Sequence, residues 1–406
     1  MKVLLGGKYG ELFEELSETG ASVTVVEERT GLFEALEGTF ELVIVHAGIF
    51  GQMYPWEWIP LLRDKQSAAS ITVIPDGSLY DSLWLEVLYR LGDDFFIRVA
   101  PLGSNAKSLL AELSSNDRDP ASAAVVGGSG RGIVAALWSA ANKDGATTVA
   151  VNAAVMLARS SQLNVGLLDL NLKNPEIKYG LQLKDLHRSN LLLRPKLHTG
   201  TLAASDLLDA CQQYRKTPRL HILAGSHRRD TAGDVTPGMV EHLLETCRAV
   251  FDVTIADVSA FPDNAATVCA VKNADMKWLV AQQDFASHRL SWTEWYECYW
   301  KYIGLHPQDI SLVLNRYAGG GESPEKIAGI LGMKLACSLP NATGWAGPRE
   351  SLEGPLFIDL PGADSFADGI RQLASRLSVA AGAPALPERQ TARRNGLLTL
   401  LSGLFT

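Results

Sequence analysis

Six short runs of almost unbroken apolar residues, set apart by helical segments, constrain this chain more than any other feature. They read GIVAALW, NVGLLDL, RLHILAG, FDVTIADV, KWLVAQQ and ISLVLNR, beginning at Gly132. A strand with one wet face alternates polar and apolar residues. A strand without that alternation is buried on both faces, as in a parallel sheet covered by helices, and right-handed crossovers then join the strands. Residues 1–112 carry a second, smaller alternation. Strands are expected there at 2–5, 22–26, 42–45, 71–74 and 95–99, with helical spacing in GELFEELSETG and YDSLWLEVLYRLG between them. The fold class that follows is α/β: a small doubly wound unit, then a larger parallel-sheet unit.

The 406 residues suit two or three domains at roughly 100–200 residues each. The expected units are 1–112, a polar then Gly-rich linker at 113–131, the main unit at 132–378, a flexible stretch at 379–395, and a tail at 396–406. A net charge of −8 gives no overall positive field for nucleic acid or acidic lipid. The basic loop GSHRRD (225–230) is too small to make a nucleic-acid site, so no specific nucleic acid is expected. The opening apolar run is only a few residues long, unlike a secretory signal, and no window approaches the ~18 apolar residues of a membrane span. Five scattered cysteines without CxxC spacing predict reduced thiols in a cytoplasmic protein and no metal cluster. The stripe Trp292, Trp295, Tyr296, Tyr299 and Trp300 has helical spacing and predicts core or a subunit interface.

The stretch LWSAANKDGATTVAVNAAVMLA (137–158) places a strand, a short Gly-containing turn and a helix beginning near Thr147 in succession. Phosphate loops share that layout and end in Gly-Lys-[Ser/Thr]. Here the frame holds Gly145, Ala146, Thr147 and Thr148. A helix N-terminus offers free N–H groups and a positive dipole end, so it binds phosphate even without lysine. Thr147 occupies the place of the magnesium-ligating hydroxyl. An ordinary strand–turn–helix junction is the competing reading. Other polar residues fall at the ends of later strands: Asp169, then Asn171 and Pro175; Asp257, where a magnesium-holding carboxylate would stand; and Asn315 with Arg316. Ligands of open α/β sheets bind at those ends. A single strand-end acid is usually solvated or a cap, but several in one order are harder to dismiss. VVGGSGRGIVAA is not a dinucleotide fingerprint, because a strand rather than a helix follows it and no acid stands about 20 residues on.

Taken in order, the loop, LLDLN with its proline, FDVTIADV and LVLNR resemble the MinD/ParA family of nucleotide-binding proteins, whose loop is KGGxGKTT. The two-unit layout resembles the CpaE/TadZ branch, with a receiver-like N-terminal domain. That resemblance implies ATP and Mg²⁺ as ligands, with Lys143, Asp144, Gly145, Ala146, Thr147 and Thr148 along the phosphates. It implies Thr147 on Mg²⁺, Asp257 on Mg²⁺ through water, Asp169 beside them, Asn315 and Arg316 toward the base, and Asn152 as the asparagine of the first helix. It also implies a homodimer and a role in positioning pilus, secretion or polar-localisation machinery.

The chain departs from the family pattern at informative places. The family's early lysine is Ala141, two loop glycines are Asn142 and Lys143, the loop lysine is Ala146, and the water-orienting acid is Asn171. An amide holds a water but does not accept its proton, so little or no hydrolysis is expected and no residue is assigned a confident catalytic role. A receiver would need an acid where His46 stands and a lysine at Ala100, before Pro101, so aspartyl phosphorylation is not expected. The tail RRNGLLTLLSGLFT has helical apolar spacing. From Arg393 to Phe405 it resembles a short membrane-targeting helix, implying peripheral contact at the inner face of the cell membrane; docking on a protein is the alternative. Three functions remain: a weakly binding scaffold, a working division-site or DNA-partition switch, and a nucleotide-free interaction module.

Overall fold

The six apolar runs become the parallel strands of one sheet, and their burial follows from the missing alternation. The computed structural model describes residues 1–7, 10–18, 20–104, 109, 132–185, 187–214, 217–342 and 356–387. The expected linker at 113–131 and the tail at 396–406 therefore lie outside the described residues.

The first sheet holds β1 (Lys2–Gly6), β2 (Ser22–Val26), β3 (Leu42–His46), β4 (Ser70–Ile74) and β5 (Arg98–Val99), all parallel, in the order β2-β1-β3-β4-β5. That is the flavodoxin-like doubly wound order. Helices α1 (Gly10–Glu18), α2 (Arg29–Ala35), α3 (Pro55–Lys65) and α4 (Ser82–Asp94) connect the strands. The last strand is shorter than the sequence suggests. α4 runs on to Asp94, Phe96 turns the chain with a left-handed φ of 55°, and pairing begins only at Arg98.

The second sheet runs β13-β12-β11-β6-β10-β7-β9-β8. Its strands are β6 (Ile133–Ser139), β7 (Val165–Asp169), β8 (Gln212–Tyr214), β9 (Thr217–Leu223), β10 (Val253–Asp257), β11 (Met276–Gln282), β12 (Ile310–Tyr317) and β13 (Lys334–Pro340). All pair in parallel except β8, an antiparallel edge. β8 and β13 are not among the six runs. They lie at the two edges, where shorter or more polar sequences suffice. The central strands β7 and β10 are buried at every position. Helix α5 (Ala146–Ser160) follows β6; α6 (Pro237–Val250), α7 (Ala265–Asn273), α8 (Trp292–Cys298), α9 (Pro324–Ile330) and α10 (Asp364–Ala380) come later. α5 is apolar almost all round because it lies between the sheet and α10. Among the described residues no helix is long and apolar enough to cross a membrane. All five cysteines are free, and burial pushes the thiols of Cys211, Cys269 and Cys337 up to about 12.

The aromatic stripe is core, and it joins the two sheets. Trp292 and Trp300 pack on Trp138 of β6, with centroids 6.3 and 5.9 Å apart. Tyr302 stacks on Trp56 of α3 at 5.8 Å, and Tyr299 meets Trp56 and Trp84 edge-on at 6.0 and 6.2 Å. Lys272 of α7 pairs with Glu86 of α4. Trp56→Ala should therefore loosen the union of the two units by roughly 2–4 kcal/mol and lower the unfolding midpoint followed by tryptophan fluorescence. An unchanged midpoint would show that the stack contributes no stability.

Candidate functional site

Where β6 ends, the chain must turn sharply to enter α5. Ala140 is still paired, its N–H donating to the Val280 carbonyl at 2.8 Å. Gly145 then takes a left-handed φ of 100° as the residue before the helix. A Cβ there would stand 2.4 Å from Asn315 Nδ2, so both conformation and space demand glycine. α5 starts at Ala146, whose N–H donates to Ser139 Oγ at 3.3 Å. The first-turn N–H groups of Thr147 and Thr148 have no acceptor within the helix. Thr147 Oγ1 donates to Asp257 Oδ2 at 2.7 Å.

Asp144 ties the turn together. It is 2% exposed. Its Oδ2 accepts from Ala141 N–H at 2.8 Å and Ser287 Oγ at 2.7 Å, and its Oδ1 accepts from Gln282 Nε2 at 3.0 Å. Its carbonyl accepts from Asn315 Nδ2 at 2.7 Å. Gln282, the last residue of β11, and Asn315, near the C-terminal end of β12, are register partners, so two neighbouring strands grip one loop residue. Burial raises the Asp144 carboxyl above the usual range, against the pull of Ser287, Ala141 and Gln282. Lys143 adopts a left-handed φ of 71°, and its Nζ lies 2.6 Å from Glu176 Oε1. Asn174 Nδ2 donates to the same oxygen at 2.6 Å.

Beside the loop stand two buried acids. Asp169 and Asp257 end β7 and β10 as direct register partners, at 0% and 1% exposure. Asp169 Oδ2 accepts from Ile177 N–H at 3.1 Å, while Oδ1 of Asp169 and Oδ1 of Asp257 have no hydrogen-bond partner among the described residues. Asn190 Nδ2 donates to the Asp169 carbonyl at 3.2 Å, and its own Oδ1 is likewise unpartnered. Gly225 leaves room for the Asp169 carboxyl; a Cβ there would lie 3.1 Å from Asp169 Cγ. Burial first, then backbone donors and the charge of Glu176, set the Asp169 carboxyl, which is pushed up to about 7. Asp257 is raised well above the carboxylate range, by burial and then by Asp169, against the Thr147 hydroxyl.

Two unpartnered carboxylate oxygens and a threonine hydroxyl are hard donors of the kind Mg²⁺ takes. Magnesium is typically held by one or two carboxylates, with water and substrate phosphates completing the octahedron. Among the described residues no group of three or more His, Cys, Asp or Glu could hold a metal. The donor set fits the ion, and Thr147, Asp257 and Asp169 are the residues that would hold it. Bound there, Mg²⁺ would neutralise phosphate charge.

The structure thus gathers Thr147, Asp169 and Asp257 in one place and Asp144, Gly145 and Asn315 in another just beside it. Arg316 is not among them, and Lys143 bonds Glu176 rather than any of them. Arg316 is exposed at an irregularity in the β12–β13 pairing, with φ 53°. Asn171 is half-buried beside the end of β7. The Thr148 carbonyl accepts from Asn152 Nδ2 at 2.7 Å, and Asn152 Oδ1 accepts from Ile358 N–H at 3.1 Å, so Asn152 fastens α5 to the segment before α10. Sequence reading missed Gln282, Ser287, Asn190 and Glu176. Gln282 ends an apolar run as Asp169 and Asp257 do, and that position was the available signal; Ser287 sits in no motif.

No protein-family model matches the chain, and no curated protein matches it. Solved structures do. A ParA family ATPase from Chlorobium tepidum TLS is 18% identical, with a TM-score of 0.51 covering 60% of this chain and 97% of that one. A putative plasmid partition protein from Borrelia burgdorferi B31 bound to AMPPNP is 12% identical, covering 61% and 99% at a TM-score of 0.47. The septum site-determining protein MinD of Pyrococcus horikoshii OT3, complexed with Mg-ADP, is 18% identical, covering 62% and 97% at 0.47. The class defined is α/β with a parallel-sheet, P-loop NTPase-like unit. More particularly, its fold is that of the ParA family ATPase, the one of the three whose TM-score exceeds one half, and an additional five-stranded sheet precedes it. At these identities the likeness is one of fold.

The acid pair gives a pH signature. Asp169 is raised from 3.8 to about 7, so between those values the folded chain binds more protons than the unfolded one and stability falls as pH rises. Asp169→Asn should leave stability near pH 4 little changed and increase it at pH 8 by roughly 2–4 kcal/mol, measured by urea unfolding across pH. A loss of stability at pH 8 would contradict a charge cost at this position.

Proposed function

We propose that the chain is a scaffold with a MinD/ParA-like fold that binds Mg-ATP weakly and hydrolyses it slowly or not at all. The observation that carries this is the retained constellation of Thr147, Asp169 and Asp257 beside a loop that has lost both family lysines. Two acids held in register without partners for their second oxygens oppose stability, and a cation site accounts for them. Ala141 and Ala146 supply no positive charge to developing phosphate charge, and Asn171 does not take a proton from water, so turnover lacks the positioned cations and base it needs. The work left to such a site is binding.

In this reading the N-terminal unit is a receiver-like docking module without phosphotransfer chemistry, since His46 and Ala100 replace the groups that chemistry needs. The aromatic seam holds it to the larger unit. The machinery served is of the pilus, secretion or polar-localisation kind that the CpaE/TadZ resemblance implies. Homodimerisation, and membrane contact through Arg393 to Phe405, belong to the same proposal. A second reading, a module that has abandoned nucleotide, is favoured by one observation: the inward carboxylate of Asp144 engages Ala141 N–H, so the loop has fewer donors left for phosphate.

Isothermal titration with Mg-ATP separates the two. The scaffold reading expects binding in the high-micromolar to millimolar range, weakened roughly tenfold or more, about 1.4 kcal/mol, by Thr147→Ala and by Asp257→Ala, with negligible phosphate release. Absence of binding at millimolar Mg-ATP would leave the second reading. Rapid phosphate release would point to a working switch.

A further inference from the structure

Lys143 is the most unusual residue of the loop by backbone as well as by charge. A left-handed conformation costs a non-glycine residue roughly 1–2 kcal/mol, and strain of that kind persists where the surroundings over-determine it. Here they do. Asp144 is locked on one side, Ala141 is bonded to it, and the Lys143 carbonyl receives Gln282 Nε2 at 3.5 Å. The lysine side chain reaches Glu176, the residue just before the short helix Ile177–Gly180 that follows β7.

Glu176 carries more than one neighbour's interest. Its Oε1 accepts from both Lys143 Nζ and Asn174 Nδ2, and its charge raises both Asp169 and Asp257. A third carboxylate therefore stands within electrostatic reach of the buried acids, and Lys143 is the cation bonded to it. A second ion pair, Lys173 to Asp263 at 2.5 Å, joins the segment after β7 to the segment after β10. Three loops at the C-terminal ends of β6, β7 and β10 are thus tied by side-chain pairs.

We propose that Lys143 is the phosphate-neutralising cation of this loop and that Glu176 is its built-in competitor, so that a polyphosphate binds by displacing Glu176 from Lys143. The inference rests on the nucleotide-binding reading above and assigns its charge chemistry. Both side chains of the pair are substantially exposed, at 72% and 45%, so the ammonium can change partners without unfolding anything. An exposed pair is worth little by itself, which makes exchange for a multiply charged phosphate favourable. Asn174 keeps Glu176 in place when the lysine leaves. The competitor also sets a threshold: a ligand with little negative charge gains nothing by breaking the pair, whereas one bearing several adjacent phosphate charges does.

The test is a titration of the full-length protein with Mg-ATP and, separately, Mg-AMP, using wild type, Lys143→Ala, Glu176→Gln and the double variant. Glu176→Gln keeps an oxygen for Asn174 and removes the competing charge. It should tighten Mg-ATP three- to tenfold and leave Mg-AMP nearly unchanged. Lys143→Ala should weaken Mg-ATP tenfold or more, and Glu176→Gln should then lose its tightening effect in the double variant. Unfolding midpoints within a degree or two of wild type show that the fold is kept. Binding seen only after Glu176→Gln also supports the proposal. Mg-ATP binding that Thr147→Ala weakens but neither Lys143→Ala nor Glu176→Gln alters would overturn it while leaving the nucleotide reading intact. Failure of every variant to bind would overturn both.

Discussion

The buried carboxylate of Asp144 is the interaction on which the rest of the site depends. Glycine-rich phosphate loops are shaped by backbone freedom. This loop keeps a glycine only at Gly145 and is shaped by a side chain, with Ala141, Gln282 and Ser287 donating to one carboxylate and Asn315 to the carbonyl beside it. Because Gln282 and Asn315 are register partners on adjacent strands, the loop's position is an extension of the sheet's register. Because Ser287 and Ser291, the latter bonded to the Ala140 carbonyl at 2.7 Å, lie on the turn leading into α8, the same knot reaches the aromatic seam that holds the N-terminal unit. Loop, sheet edge and inter-unit contact share one set of bonds. A buried charge with its donors in place is tolerable, whereas the same charge with one donor removed is costly.

The acid pair beside the loop has the opposite character. Asp144 has its donors; Asp169 and Asp257 each have an oxygen without one. The β7–β10 register brings two desolvated carboxylates side by side, and like charges so placed share protons unless a cation intervenes. Packing alone gives no reason for such an arrangement, since burial and mutual repulsion both act against two carboxylates side by side. The contrast separates the two clusters in kind: one has its carboxylate oxygens satisfied within the chain, and the other does not.

Much of the larger unit was legible in the sequence because burial on both faces suppresses alternation, and that suppression is visible without a structure. The six runs, their order, and the placement of Asp169, Asp257 and Asn315 at strand ends all follow from it. β8 and β13 escaped because edge strands face a weaker demand for apolar residues. The early end of the helical pattern hid Phe96's turn and made β5 look longer than it is. Within the site, Thr147 and Asp257 could be paired by analogy of order. The turning inward of Asp144 could not be read, because it needs donors from Gln282 and Ser287, about 140 residues away. Sequence placed Asp144 and Lys143 side by side among the phosphate-facing residues. The fold sends one into the core and the other to Glu176, a difference set by a backbone conformation that no spacing rule reports.

The central claim is that Asp144 holds the loop. Hydrogen exchange at the Ala141 amide, compared between wild type and Asp144→Ala, tests it most directly. Strong protection is expected in wild type and loss of most of it in the variant, with global stability lowered by roughly 2–4 kcal/mol as Ser287, Gln282 and Ala141 N–H lose their shared acceptor. Equal protection and unchanged stability in the variant would contradict it, and would mean that the loop is held by its backbone alone.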